Sequence, residues 1–217
     1  MAGIYIHIPF CKQRCRYCAF YSSTLYNIRE AYVDALCKEL LMRKEYIAGE
    51  TVGTIYLGGG TPSTLTMEQL KRICDTIYNN YPVTDAPEVT IECNPDDLTP
   101  EFLEQLKGLP FNRISMGIQS FNDAQLMRLG RRHTAEAARQ AVANTRAAGY
   151  SNISIDLMFA LPGSSRAEWQ ETLDTAIALR PEHLSAYNLM YEEGTPLYRD
   201  LKEGIPLTEQ NPAHTNW

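Results

Sequence analysis

The sequence lacks any long apolar run. None of its 217 residues falls in a stretch that approaches the roughly 20 consecutive apolar residues a membrane-spanning helix needs. Residues 1–5 also lack the basic segment and the apolar segment of a secretory signal peptide. We therefore expect a cytoplasmic protein without a transmembrane segment. In that compartment, cysteine thiols stay reduced.

Basic residues are fewer than acidic residues in this sequence. Lys and Arg number 20 against 26 Asp and Glu, which gives a formal net charge of -6 at pH 7. A chain of this charge is not expected to bind nucleic acid or anionic membranes through bulk electrostatics. Hydrophobic residues at 44% and charged residues at 21% are typical of a soluble globular protein, and the length allows one sizeable core.

Disulfides are not expected either, although the sequence contains six cysteines. Three of them, Cys11, Cys15 and Cys18, lie within eight residues. Thiolates crowded into one short loop suit a metal ion or an iron–sulfur cluster. Structural zinc and ordinary four-iron clusters take four protein ligands, so three cysteines on a four-iron cluster would leave one iron open to a cofactor or substrate.

Short β-branched runs alternate with helical patterns six times along the chain. The predicted strands span residues 4–8, 54–57, 88–93, 113–118, 152–157 and 183–189. The predicted helices span residues 29–48, 67–79, 100–106, 123–129, 135–148 and 166–179, with capping boxes at Thr66 and Ser165. This alternation predicts an α/β fold with a parallel sheet and right-handed crossovers.

The predicted strands have one apolar face and one small or polar face, and the polar face ends in Glu92, Gln119 and Asp156. A sheet buried on both faces would be apolar throughout. The pattern therefore favours a curved, partial (βα)6 barrel of the TIM type, open on one side, with chemistry at the carboxyl ends of the strands. The alternative is that these are separate polar core residues satisfied by hydrogen bonds.

A glycine-rich loop follows the second predicted strand, in the run Gly58-Gly59-Gly60-Thr61-Pro62. Glycines there allow the backbone to approach a ligand closely. The run has neither the Gly-Lys-Ser/Thr of a phosphate loop nor the G-x-G-x-x-G of a dinucleotide site. A plain tight turn is the alternative.

Together, the C-x3-C-x2-C run, the glycine loop and residues 91–95 resemble the radical S-adenosylmethionine (SAM) superfamily. Within it, the sequence resembles the oxygen-independent coproporphyrinogen III oxidase group, and most closely its heme chaperone (HemW-type) branch. That finer resemblance rests on residues 3–11, 112–121, 129–133, 156–163 and 183–187. The oxidases carry a fourth cysteine two residues after the third, where this sequence has Phe20. This departure favours heme handling over coproporphyrinogen III dehydrogenase activity.

The resemblance implies that Cys11, Cys15 and Cys18 hold a [4Fe–4S] cluster whose open iron binds SAM. The SAM contacts that it implies are Tyr5, Tyr17, Gly59, Gly60, Thr61, Glu92, Gln119, Arg131 and Asp156. A sulfonium amino acid needs a carboxylate for its ammonium and an Arg for its carboxylate, which agrees with this set. Reductive cleavage to a 5′-deoxyadenosyl radical is the implied chemistry. Heme or a porphyrinogen, and an unnamed apo-hemoprotein recipient, are the implied partners.

The resemblance also implies a longer protein, with a C-terminal domain that carries an H-N-x-x-Y-W motif. We predict a radical SAM core over residues 1–200 and an irregular tail over 201–217, with that further domain missing. His214, Thr215, Asn216 and Trp217 have similar letters in a different arrangement.

Other residues have simpler explanations. We expect Cys37 and Cys74 in the core, Cys93 facing the helices, and a core stripe of Trp169, Leu173 and Ile177. The Arg131-Arg132 pair could be solvated. A metal-binding module in which His7 joins the three loop cysteines on structural zinc is the remaining alternative.

Overall fold

The computed structural model describes residues 1–204, and its centre is a six-stranded sheet in the order β1-β2-β3-β4-β5-β6. The strands are β1 (Ala2–Ile8), β2 (Val52–Gly59), β3 (Val83–Cys93), β4 (Arg113–Gln119), β5 (Ile153–Phe159) and β6 (His183–Asn188). All neighbouring strands are parallel. Within the described residues β1 and β6 each pair with a single strand, so the sheet is open, as predicted.

Seven helices connect or follow the strands of the described chain. They are α1 (Arg29–Met42), α2 (Met67–Asn80), α3 (Pro100–Leu106), α4 (Asp123–Leu129), α5 (Ala135–Ala147), α6 (Arg166–Ala178) and α7 (Pro196–Lys202). Both predicted capping boxes are present, at the first turns of α2 and α6. The prediction of one helix over residues 29–48 was wrong, because α1 ends at Met42 and a short 3-10 helix, Lys44–Ile47, follows it.

The apolar faces of the strands form the core under the helices. Ile8, Leu57, Ile91 and Met116 are among the fully buried members of one large cluster. Burial of such side chains stabilises the fold by roughly 1.5–3 kcal/mol each. As the two-residue alternation of the strands predicts, their apolar side chains lie on the face covered by helices and their polar side chains lie on the opposite face.

Several predictions for core residues can be checked directly. Cys74 and Cys93 are buried in the core, and Cys37, Trp169 and Leu173 pack against it. Ile177 was predicted wrongly: it is 58% exposed, because it lies near the carboxyl end of α6 and turns away from the sheet.

Helix α7 was not predicted, although α3 and α4, which are also seven residues long, were. Its signal was local: Thr195 caps the helix by accepting a hydrogen bond from Tyr198 N, and Pro196 occupies the first turn. The helix crosses the predicted boundary at residue 200, and the division into core and tail stays a prediction. The rest of the tail, residues 214–217 included, lies outside the described residues.

No helix between residues 1 and 204 is both long enough and apolar enough to cross a bilayer.

Candidate functional site

A cavity of about 890 Å³ opens at the carboxyl ends of the strands. Its volume lies in the range of ligand pockets in proteins. It is lined by all of the predicted site residues except Tyr5, namely Cys11, Cys15, Tyr17, Cys18, Gly59, Gly60, Thr61, Glu92, Gln119, Arg131 and Asp156. Residues that are distant in the sequence therefore share one wall.

Tyr5 is the predicted residue that the structure does not bring to the cavity. It lies three residues before the end of β1, opposite Tyr56 in register, and is 59% exposed. Its ring stacks on Tyr56 with centroids 6.0 Å apart, and its hydroxyl lies 3.3 Å from His7 Nδ1. The alternation assigned Tyr5 to the polar face, but its distance from the strand end keeps it out of the wall.

The three cysteines lie in a loop that leaves β1 and folds back on itself. Cys11 N donates to Ser23 O over 3.0 Å, and Ser23 N donates to Pro9 O, so the two ends of the loop are joined. All three thiols are half-buried and free of disulfides. The loop thus presents three free thiols, groups that suit soft metals, to the cavity.

The structure does not join His7 to the three loop cysteines, as the zinc alternative requires. Among residues 1–204, no three His, Cys, Asp or Glu side chains converge closely enough for one metal ion. Zinc–sulfur bonds of about 2.3 Å would draw the ligands around one centre, whereas a four-iron cluster holds its cysteines on separate irons. His7 is absent from the cavity wall, and its Nε2 lies 3.0 Å from Tyr21 O.

The side chain of Arg131 lies beside the cysteine loop. Its Nη1 donates to Cys15 Sγ over 3.2 Å, and its Nη2 donates to Asn94 Oδ1 over 2.6 Å and to Gly117 O. Its Nε is buried and has no hydrogen-bond partner. A guanidinium with one buried donor unused suits both a neighbouring thiolate and an incoming carboxylate. Arg131 is therefore not simply solvated.

The end of helix α4 determines where Arg131 lies. Gly130 takes φ 71°, Gly130 N donates to Met127 O, and Arg131 N donates to Leu126 O. This is a Schellman motif, in which glycine is favoured because its conformation is left-handed. The turn directs the residue after the glycine into the cavity.

The glycine loop has a packing reason for its composition. Gly59 takes φ 105°, and a Cβ there would lie 2.4 Å from His7 Nδ1. A Cβ on Gly60 would lie 2.7 Å from Ile8 O, to which Gly60 N donates a hydrogen bond. The loop therefore crosses the end of β1 at a distance that only glycine permits. Thr61 then directs its hydroxyl to Cys11 Sγ, 3.5 Å away.

Two half-buried carboxylates form the polar floor of the cavity. Glu92 accepts hydrogen bonds from Tyr56 Oη over 2.7 Å and from Gly59 N over 3.1 Å. Asp156 accepts a weaker one from Ser115 Oγ over 3.4 Å. Burial raises the pKa of both carboxyl groups, and burial likewise raises the pKa of the Cys11 and Cys18 thiols. A bound cation would offset that cost, because it favours the ionised forms.

The strand ends beneath the cavity contain unusual backbone. Gln119 takes φ 73°, and the pairing of β4 with β5 shifts register between Gly117 and Gln119. Ala160, just after β5, takes φ 57°. Left-handed backbone at a non-glycine residue is unfavourable, and it often marks positions where a side chain must be aimed at a ligand.

Sequence reasoning missed two groups of lining residues. Asn94 accepts from Arg131 and lies 3.4 Å from Thr61 Oγ1, so it joins the two sides of the site. Its place in residues 91–95, right after β3, was the available signal. The second group is the apolar rim, which consists of Ala19, Phe20, Met158, Tyr187 and Met190. It could not be assembled from sequence, because its members come from three separate segments.

Comparison with known proteins adds to this geometry. The sequence profile of the radical SAM superfamily matches residues 5–176. The heme chaperone HemW of Bacillus subtilis (strain 168) is 38% identical over 215 residues, which cover 97% of this chain and 57% of that protein. The heme chaperone HemW of Escherichia coli (strain K12) is 37% identical over 195 residues, which cover 89% of this chain and 52% of that protein.

Among solved structures, coproporphyrinogen III oxidase (HemN) from Escherichia coli, a radical SAM enzyme, is similar with a TM-score of 0.79 and 28% identity. The match covers 94% of this chain and 51% of that one. The chain thus spans about half the length of the curated relatives it matches.

Proposed function

This protein belongs to the radical SAM superfamily, and from that membership we propose that its cavity binds a [4Fe–4S] cluster and SAM. Members of the superfamily use both groups. One observation carries the proposal: three free thiols, a glycine loop and a guanidinium with an unused buried donor line the same cavity. The donor set fits a cluster held by Cys11, Cys15 and Cys18, with one iron left for SAM.

The polar lining divides the recognition of SAM among the side chains. Arg131 offers its Nε to the SAM carboxylate, and Glu92 offers a carboxylate to the ammonium. Asp156 and Gln119 supply acceptors for ribose hydroxyls, while Tyr17 packs near the adenine. When bound, the reduced cluster supplies an electron to the sulfonium of SAM.

We assign heme to the apolar rim of the same cavity. Phe20 is 70% exposed and Met190 is 64% exposed, although both line the cavity mouth together with Tyr187. An exposed apolar patch of this kind is typical of a binding surface, and aromatic and Met side chains suit a large flat ligand. The 38% identical relative is named a heme chaperone. The protein would accordingly bind heme in the cytoplasm for delivery to apo-proteins.

The second candidate is oxygen-independent coproporphyrinogen III oxidation. The fold similarity to HemN supports it, with a TM-score of 0.79. Phe20 weighs against it. The oxidases are expected to carry the pattern C-x3-C-x2-C-x-C, and this chain has Phe20 at the position of the last cysteine.

Anaerobic reconstitution tests these proposals in one series. We expect about four irons per chain, and an EPR signal of the reduced protein that SAM changes. Heme should then bind with a shifted absorption band, while coproporphyrinogen III should not be consumed. Colourless protein with stoichiometric zinc would contradict the cluster, and turnover of coproporphyrinogen III would favour the oxidase.

A further inference from the structure

The backbone of Arg16 lies between the ends of two helices. Arg16, between the second and third cysteines, donates its N–H to Leu129 O of α4 over 2.9 Å. Its carbonyl accepts from Leu197 N of α7 over 3.0 Å. The last carbonyls and first N–H groups of helices have no partner inside the helix. The cysteine loop therefore supplies one backbone hydrogen bond to each of these helix ends.

Side chains of α7 hold the same stretch of the loop. Asp200 forms an ion pair with Arg16, and the two side chains are 20% and 42% exposed. Leu197 is buried in a small cluster with Leu129, against which Tyr17 of the loop packs. Gly130 leaves the space that Arg16 occupies, since a Cβ there would lie 3.1 Å from Arg16 Cγ.

We propose that α7 is a clamp that positions the cysteine loop for its cluster, with Asp200 and Leu197 as positioning residues. The inference rests on the proposed cluster function. Three kinds of contact, namely a backbone hydrogen bond, an ion pair and apolar packing, act on Arg16 and Tyr17, which lie between Cys15 and Cys18. Loop segments lose conformational entropy when they are fixed, so contacts that fix the loop in advance favour cluster retention.

The position of α7 in the chain makes the clamp a separate feature from the matched core. The superfamily profile ends at residue 176, and α7 begins at Pro196. The clamp joins residues up to 184 positions apart, Arg16 and Asp200. Substitutions that remove these contacts should make the loop more mobile and leave the sheet intact, because Leu197 belongs to a cluster separate from the main core.

The test compares Asp200→Asn in the full 217-residue chain with Asp75→Asn, which breaks the exposed Lys71–Asp75 pair on α2. Hydrogen exchange of residues 11–18 is measured before reconstitution, and iron loss to a chelator afterwards. We expect Asp200→Asn to raise both rates by about fivefold, as for loss of a partly buried ion pair, and Asp75→Asn to change neither. The double reversal Arg16→Asp with Asp200→Arg should restore both.

Leu197→Ala should raise both rates more, with its folding checked by circular dichroism. Exchange and iron loss in Asp200→Asn equal to those of the wild type would overturn the clamp, and so would a change in only one of the two. Wild-type chain that takes up no iron would instead contradict the cluster. Hydrogen exchange still tests the hold of α7 on the loop in that case.

Discussion

Arg131 Nη1 donates a hydrogen bond to Cys15 Sγ across 3.2 Å, although 116 positions separate the two residues in the chain. This contact joins the turn after α4 to the cysteine loop after β1. It places a permanent positive charge beside the thiol of Cys15 and leaves Nε as the buried donor without a partner among residues 1–204. A lysine could supply the charge but not the planar set of donors.

Arg131→Lys should therefore weaken SAM binding by about tenfold or more, the size expected for loss of a hydrogen bond between charged groups. Equilibrium dialysis of SAM against reconstituted protein measures the effect. Arg139→Lys, on the partly exposed face of α5, is the matched control and should bind SAM as the wild type does. Equal affinity in both variants would remove Arg131 from the SAM site.

Gln119→Gly should stabilise the fold and impair the site. Left-handed backbone at a non-glycine residue costs about 1–2 kcal/mol, and the greater freedom of unfolded glycine offsets about 0.5–1 kcal/mol of that gain. The free energy of unfolding in urea should rise by about 0.5–1 kcal/mol, while SAM affinity falls. Gln140→Gly, inside α5, should instead lower that free energy by about 1 kcal/mol. A loss of stability in Gln119→Gly would refute the strain.

His133 should make stability depend on pH. Burial, with Arg131 and Arg132 nearby and Asp123 opposing them, lowers the pKa of His133 to about 4 from an ordinary 6.5. The unfolded chain therefore binds a proton that the folded chain refuses between these values. The resulting stabilisation is present above pH 6.5 and is lost as the pH falls towards 4, by about 3 kcal/mol.

Urea unfolding of wild type and His133→Gln from pH 4 to 7 tests this dependence. The glutamine amide can still donate to Ile118 O, which accepts from His133 Nε2 at 3.0 Å. The difference between the two proteins isolates the histidine, because Glu92 and Asp156 titrate in both. Parallel curves for the two proteins would show that His133 is not the source. His183→Gln, at an exposed position, should follow the wild type.

Phe20→Ala should lower heme affinity by about fivefold, as expected for loss of one aromatic contact. SAM binding should not change, because Phe20 belongs to the apolar rim. Tyr46→Ala, at an exposed aromatic outside the cavity lining, serves as the control in the same absorbance titration. If Phe20→Ala leaves heme affinity unchanged, heme does not bind at the apolar rim.

The strands and the polar residues at their carboxyl ends could be predicted because both depend on local pattern, whereas the other proposed SAM contacts were implied by the family resemblance. Alternation assigns each side chain to a face, and the end of a strand is visible in the glycines and polar residues that follow it. Glu92, Gln119 and Asp156 accordingly meet in one cavity. Alternation does not show how far a residue lies from the cavity at the strand end, which is why Tyr5 was assigned to a cavity that it does not line.

Contacts between distant segments could not be predicted in this way. Asn94 between Arg131 and Thr61, and the hold of α7 on Arg16, depend on how whole elements pack. The left-handed backbone of Gln119 could not be predicted from the sequence either, since glycine is the residue that typically indicates this conformation. The Gly130–Arg131 turn, by contrast, follows a local rule and could have been specified from the helix end alone.

The EPR spectrum of the reduced, reconstituted protein, recorded with and without SAM, tests the central claim most directly. We expect a four-iron signal that SAM alters in the wild type and in Cys37→Ala, whose thiol packs on the core. Cys11→Ala, Cys15→Ala and Cys18→Ala should each lose the signal. A signal that persists in any of these three variants, or a wild-type spectrum that SAM leaves unchanged, would contradict a three-cysteine cluster with an open iron for SAM.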